Sequence, residues 1–220
     1  MPRKFSKSSR LVAAFLVTNA IAAASFAQGS AATRPTSATT RATTGPATAA
    51  DAVRAYVSLF KQHRPMDAFR EMWDWDFFMD EAFGPRYREM SKPDRDAAVQ
   101  LLMSYLAPVM AHEKLVKVMA ESEYSDFTTI PKGEDRATVR LVSEHPAHRA
   151  RSWMYCRRTD SGWKIFDQEN SGRPSLAAEL RAGYRKLEHR MSPLDFVKGM
   201  KAEADEIAAR AKATSAPSKP

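Results

Sequence analysis

The segment RSWMYCR at residues 151–157, followed by DSGWKIFD at residues 160–167, decides the fold. Successive side chains of a strand point to opposite faces, so Trp153 and Tyr155 share one face while Met154 takes the other. The turn residues between the two segments predict an antiparallel hairpin. Both of its faces carry bulky apolar groups, and such a sheet has to be covered by helices or by an apolar ligand.

The alternating pattern extends upstream of this hairpin. Ala137, Val139 and Leu141 alternate with more polar neighbours, which is typical of a strand. Because the connections between the alternating segments are short, strands adjacent in sequence are expected to be adjacent in an antiparallel sheet. Four strands are predicted, at about 114–129, 135–144, 149–158 and 162–169.

Helical spacing precedes the sheet. The apolar residues within 53–60 predict a helix that Asp51 caps. Ser91 and Asp94 resemble a capping box at the start of a long helix that reaches about His112. This helix is apolar over so wide an arc that we expect it to be enclosed on most sides, as a central helix lying on the sheet.

The run at residues 66–83 is dense in aromatic side chains and has two open interpretations. It forms either two short helices closing over the sheet or an aromatic wall of an apolar cavity. Helices are predicted again after Ser175 and after Ser192. Together these elements predict an α+β fold, in which a curved four-stranded antiparallel sheet packs against a helical layer with an apolar cavity between them.

The two ends of the chain differ from its centre. Residues 1–27 have the pattern of an export signal, with basic residues before an apolar run at 11–24 and small residues around a cut near Ala27. That run is too short to span a bilayer comfortably, which disfavours the alternative of a retained anchor. Residues 28–50 and 211–220 are predicted to be disordered from their composition, which leaves one exported domain at 51–210.

The formal charge of +8 does not indicate a nucleic-acid partner. Eight of the 34 basic residues lie outside 51–210, so the predicted domain holds 26 basic and 26 acidic residues. Binding to a phosphate backbone would need a net basic face on that domain. The residues outside it are Arg3, Lys4, Lys7, Arg10, Arg34, Arg41, Lys212 and Lys219.

The sequence offers few groups for catalysis. His145 and His148 flank a turn without a third ligand nearby, a weak pattern for a metal site, so neither a metal nor a cofactor is expected. The single cysteine, Cys156, lies on a predicted core strand and has no partner for a disulfide. Asp76 among its aromatic neighbours, or His112, remains a candidate general base.

Several short motifs resemble one family in their order along the chain. Residues 75–77 read Trp-Asp-Phe, residues 83–87 read Phe-Gly-Pro-Arg-Tyr, and residues 91–95 start a helix with Ser-x-x-Asp-Arg. Residues 162–167 read Gly-Trp-Lys-Ile-Phe-Asp, and Ser175-Leu176 follows. With these motifs the chain resembles the MlaC (toluene-tolerance) family of periplasmic phospholipid-binding proteins, apart from the inserted proline in the second motif.

The resemblance implies a soluble carrier that holds phospholipid acyl chains in an apolar cavity and is not an enzyme. Its expected partners are an inner-membrane ABC transporter complex and an outer-membrane lipoprotein complex. The alternative is a cavity-bearing enzyme or binder of a small hydrophobic ligand that uses Asp76 or His112. Residues expected to supply the cavity walls are Phe77, Tyr87, Leu102, Tyr105, Val139, Trp153, Tyr155, Phe166 and Leu180.

Overall fold

The computed structural model describes residues 45–146 and 148–214, and these form two compact units. The sheet unit contains the described residues up to Asp74 together with Glu113–Ser175. The helical unit contains Trp75–His112 and the described residues from Leu176 onward. The predicted signal at 1–27, residues 28–44 of the predicted leader (28–50) and residues 215–220 of the predicted tail (211–220) lie outside the described residues.

The sheet unit holds three helices and all four strands. The helices are α1 (Ala49–Lys61), α2 (Pro65–Met72) and α6 (Glu113–Glu121). The strands are β1 (Glu123–Pro131), β2 (Arg136–His145), β3 (His148–Thr159) and β4 (Gly162–Asn170), paired antiparallel in the order β1-β2-β3-β4. The predicted α+β fold with a curved four-stranded antiparallel meander is therefore confirmed.

Helix α1 packs across all four strands of the sheet unit. Its Val53, Tyr56, Val57 and Phe60 are buried, as their helical spacing predicts. The helix begins at Ala49 rather than after Asp51, because the Thr48 hydroxyl accepts a hydrogen bond from the Asp51 backbone N–H at 3.1 Å. The predicted domain limits at 51 and 210 stay predictions.

Helix α6 replaces the start of the predicted first strand. Residues 114–121 were expected to be extended, but the chain is helical there and β1 begins only at Glu123. Leu115, Val118 and Met119 are spaced by three and four residues, a helical pattern that competes with the alternation read from Val116 and Val118. Leu115 is buried, which shows that the helical period prevailed.

The edge strand β4 is bordered by two chain segments. The Trp163 N–H donates to the Pro46 carbonyl at 3.0 Å, and the Asp74 N–H donates to the Ile165 carbonyl at 2.7 Å. Both bonds use backbone groups that an edge strand would otherwise leave unpaired. The described chain therefore starts in contact with the β3–β4 hairpin.

Residues 45–46 lie so close to the β3–β4 turn that only glycine is expected to fit at residue 162. Gly162 has φ +99°, and a Cβ placed there would lie 2.8 Å from the Gly45 carbonyl carbon. Gly133 has φ +110° with no atom within 4 Å of such a Cβ, so it supplies a matched control. We expect Gly162→Ala to lose about 2 kcal/mol more free energy of unfolding in urea than Gly133→Ala. Equal losses would contradict the close packing of residues 45–46.

The helical unit holds the remaining five helices of the described chain. These are α3 (Trp75–Phe83), α4 (Pro85–Arg88), α5 (Lys92–Met110), α7 (Leu176–Arg185) and α8 (Pro193–Thr214). Within this unit α5 packs against α3 and α8, and α3 packs against α7. The long helix was expected to lie on the sheet; within the sheet unit, the helix in that position is α1.

The caps of the helical unit follow the sequence. The Ser91 hydroxyl accepts from the Asp94 N–H at 3.3 Å, and the Ser192 hydroxyl accepts from the Asp195 N–H at 3.1 Å. Pro108 lies inside α5 without ending it. None of the described helices is long and apolar enough to cross a bilayer.

Candidate functional site

The register of the sheet separates its apolar residues into two faces. Val139 pairs with Met154, and Cys156 pairs with Ile165, so these four side chains share one face. All four have no exposed surface. Helix α1 packs across the strands, and its Lys61 Nζ lies 5.7 Å from the ring centroid of Tyr124, which the register places on this same face. We call it the α1 face of the sheet.

The opposite side of the sheet carries Val142, Trp153, Tyr155 and Phe166, which we call the aromatic face. Val142 pairs with Arg151, which lies on the same face of β3 as Trp153 and Tyr155 because these residues are two apart. Phe166 joins them because it follows Ile165, which pairs with Cys156 on the α1 face, and the Tyr155 and Phe166 rings lie 6.2 Å apart. Trp153 and Tyr155 are half-buried, whereas Val142 and Phe166 are buried.

Acidic groups border the aromatic face at the end of β4. The Tyr155 hydroxyl donates to Glu169 Oε2 at 2.6 Å. Burial, followed by this carboxylate, raises the pKa of Tyr155, so the phenol stays a neutral donor at physiological pH. Asp167 is buried, and its Oδ1 accepts the Gln168 N–H at 2.8 Å. The face therefore combines an apolar surface with fixed polar groups at one end.

The predicted cavity residues do not share one surface of the sheet. Trp153, Tyr155 and Phe166 meet on the aromatic face, but Val139 lies on the α1 face. The sheet itself separates Val139 from the other three, so Val139 cannot line the same cavity. The alternation at 137–142 did not reveal this difference, because Val142 made both sides of β2 apolar.

The other five predicted cavity residues belong to the helical unit. Leu102 and Tyr105 are buried on α5, Leu180 is buried on α7, and Tyr87 is buried on α4. Phe77 on α3 is half-buried. Burial at these positions is consistent with core packing or with a cavity wall, so their contribution to ligand binding stays a prediction.

Three motifs that stand apart in the sequence meet in the helical unit. The Tyr87 hydroxyl donates to Asp76 Oδ1 at 2.8 Å, and Arg95 Nε lies 3.9 Å from the same oxygen. The Arg95 guanidinium lies over the Tyr87 ring, with 5.9 Å between its Cζ and the ring centroid. The cluster ties together the start of α3, the short helix α4 and the first turn of α5.

The structure gives the candidate bases little of the environment that catalysis needs. The Asp76 side chain is 69% exposed, and its carboxylate accepts a hydrogen bond from the Tyr87 hydroxyl. Burial, followed by the hydrogen bond to Asp76, raises the pKa of Tyr87. His112 is exposed just beyond the end of α5. Burial raises the pKa of the Cys156 thiol to about 12, so Cys156 is a poor nucleophile at neutral pH.

His145, which precedes the β2–β3 turn, lies close to one carboxylate. His145 Nε2 lies 3.4 Å from Glu121 Oε2, at the end of α6. Within residues 45–146 and 148–214, no group of three or more histidine, cysteine or acidic side chains has an arrangement that could hold a metal ion.

Sequence reasoning did not identify Glu203 on α8 as a partly buried polar residue. Glu203 is half-buried, and its Oε2 is buried without a hydrogen-bond partner among the described residues. The signal that would have found it is the spacing of Phe196, Met200 and Glu203, which lie four and three residues apart.

A solved structure shares this architecture. The phospholipid-binding protein from Ralstonia solanacearum, solved in complex with a phospholipid at 1.53 Å resolution, superimposes with a TM-score of 0.56. The match covers 70% of this chain and 94% of that chain, at 12% sequence identity. The two proteins share a fold. No protein-family model matches the sequence, and no curated protein matches it either.

Proposed function

We propose that this protein binds phospholipid through the acyl chains. The observation that carries the proposal is the shared fold with a phospholipid-binding protein over 94% of that protein's length. The aromatic face adds support, since it presents half-buried Trp153 and Tyr155 on the side of the sheet opposite the α1 face. An apolar ligand would complete the cover that such a sheet needs.

The binding energy would come from burial. Each methylene removed from water contributes about 0.8 kcal/mol, so six buried methylenes contribute about 5 kcal/mol. A typical neutral hydrogen bond contributes only about 1 kcal/mol net. Affinity would therefore depend on the shape and polarity of the apolar wall more than on any single polar contact.

We further propose that the protein is a periplasmic carrier of the MlaC kind. The export-signal pattern at residues 1–27 and the ordered motifs of that family support this location and role. The carrier would exchange lipid with an inner-membrane ABC transporter complex and with an outer-membrane lipoprotein complex. It would act by binding and release, with no chemical step.

The carrier role is tested by transfer of a fluorescent phospholipid between two vesicle populations that cannot fuse. The protein is expected to accelerate transfer in proportion to its concentration. Bovine serum albumin at the same concentration gives the rate for a nonspecific lipid binder. A rate no higher than with albumin would contradict the carrier proposal while leaving lipid binding itself open to direct measurement.

An enzyme acting on a hydrophobic substrate is the second candidate, and Asp76 is the residue on which it would depend. The hydrogen bond from Tyr87 to Asp76 is the observation that favours it, because it orients the carboxylate. Under the carrier proposal, Asp76→Asn keeps lipid binding and transfer. A loss of turnover on bound lipid in this variant, with binding retained, would instead support the enzyme.

A further inference from the structure

Two arginines of the sheet unit border the aromatic face. Arg140 pairs with Trp153 across β2 and β3, and Arg151 precedes Trp153 by two residues along β3. Both side chains therefore lie on the side of the sheet that carries Trp153. Arg151 is exposed and Arg140 is half-buried, so water reaches this border of the apolar surface.

A carboxylate fixes the position of Arg140. Its Nε donates to Asp126 Oδ2 at 2.6 Å, and its Nη2 donates to Asp126 Oδ1 at 3.1 Å. Asp126 lies in the bulge of β1 and has φ +56°, which is uncommon for a residue other than glycine. These two bonds use one edge of the guanidinium, and its Nη1 group has no hydrogen-bond partner among the described residues.

Arg151 has no ion pair within residues 45–146 and 148–214, although three acidic side chains lie close to it in the register. Each of the three has another partner, which is Arg140 for Asp126, Arg149 for Glu144 and the Tyr155 hydroxyl for Glu169. Hydrogen bonding to Arg140 first, and in smaller part the charge of Arg151, holds the pKa of Asp126 below its usual range, so two cations share this one ionised carboxylate. Arg151 is therefore available to pair with an anion from outside the chain.

We propose that Arg151, assisted by Arg140, binds the phosphate group of a phospholipid whose acyl chains lie along the aromatic face. A guanidinium donates paired, charge-assisted hydrogen bonds to phosphate oxygens. Trp153 begins the apolar surface two residues along β3, which is about 7 Å from Arg151 by the rise of a strand. A phospholipid carries its phosphate and its acyl chains on one glycerol unit, so a single molecule can contact both. The inference rests on the proposed binding of phospholipid and specifies where the headgroup lies.

The test offers the protein vesicles of equimolar phosphatidylcholine and digalactosyldiacylglycerol with identical acyl chains. Neither lipid has a net charge and only the first has a phosphate, so attraction to a charged surface does not contribute. Purified protein is incubated with the vesicles, re-isolated and extracted, and the bound lipids are counted by mass spectrometry. The unmodified protein is expected to be enriched in phosphatidylcholine, and Arg151→Gln is expected to lose about tenfold of that preference.

Arg158→Gln supplies the matched control. Arg158 is exposed on the same strand and has no ion pair among the described residues, but alternation places it on the other side of the sheet. This variant should keep the preference of the unmodified protein. The same lipid composition in Arg151→Gln and Arg158→Gln would overturn the inference, and so would an unmodified protein that binds the two lipids equally. Absence of both lipids from the unmodified protein would instead contradict the proposed function.

Inorganic phosphate, titrated alone by isothermal titration calorimetry, separates a lipid headgroup from a free anion. No saturable binding is expected at millimolar phosphate, because the contribution from burial of acyl chains is missing. Saturable binding that Arg151→Gln removes, together with no preference for phosphatidylcholine, would assign the site to a free anion and overturn its assignment to a lipid.

Discussion

Val139→Asp should abolish the folded state of the sheet unit. Val139 has no exposed surface and pairs with the equally buried Met154 on the α1 face. A buried carboxylate without a partner costs several kcal/mol, comparable with the roughly 5–15 kcal/mol that stabilises a typical domain. We expect loss of the cooperative thermal transition, measured by circular dichroism.

The control for this variant is Thr129→Asp. Thr129 is the register partner of Val139 on β1, but it is exposed. Because its carboxylate stays in water, Thr129→Asp should change the free energy of unfolding by less than about 0.5 kcal/mol. A Val139→Asp protein that folds normally but loses lipid would contradict the placement of Val139 under α1 and would make it a cavity wall after all.

Trp153→Glu should leave the protein folded but remove phospholipid binding. Trp153 is half-buried on the aromatic face, so a charged side chain there can keep contact with water in the absence of ligand. With an acyl chain in place, the carboxylate would be desolvated at a cost of about 3 kcal/mol, which corresponds to a loss of affinity of more than a hundredfold. Titration with a fluorescent phospholipid measures this loss.

Trp153→Leu is the matched variant at the same position. It shortens the side chain but keeps the wall apolar, so binding should fall much less than in Trp153→Glu. Both variants should show thermal transitions within a few degrees of the unmodified protein. If the two variants bind phospholipid equally well, the aromatic face does not contact the acyl chains.

The sequence predicted the sheet more accurately than the helix that precedes it. In β2, β3 and β4, alternation and turn residues coincide, so each predicted boundary lies within one residue of the observed one. At 113–121 the apolar residues satisfy both periods, and only burial of Leu115 against the rest of the sheet unit decides between them. Such a choice depends on tertiary packing, which a local pattern does not contain.

The candidate site was only partly predictable for a related reason. Alternation placed Trp153 and Tyr155 on one side of β3, and Phe166, which follows Ile165 on β4, lies on that side as alternation predicts; the register shift that sets Asp167 opposite Tyr155 had no local signal. Both sides of β2 read as apolar, so the sequence did not distinguish Val139 beneath α1 from Val142 on the opposite side. Asp76, Tyr87 and Arg95 were recognised as separate motifs, but their convergence required the packing of α3, α4 and α5.

Extraction of lipid from the 220-residue chain, expressed with residues 1–27 included and purified without detergent, tests the central claim most directly. We predict phospholipid at close to one molecule per protein by quantitative mass spectrometry, and its loss in Trp153→Glu. Protein that is folded and free of phospholipid, and that takes up none from vesicles, would contradict the account.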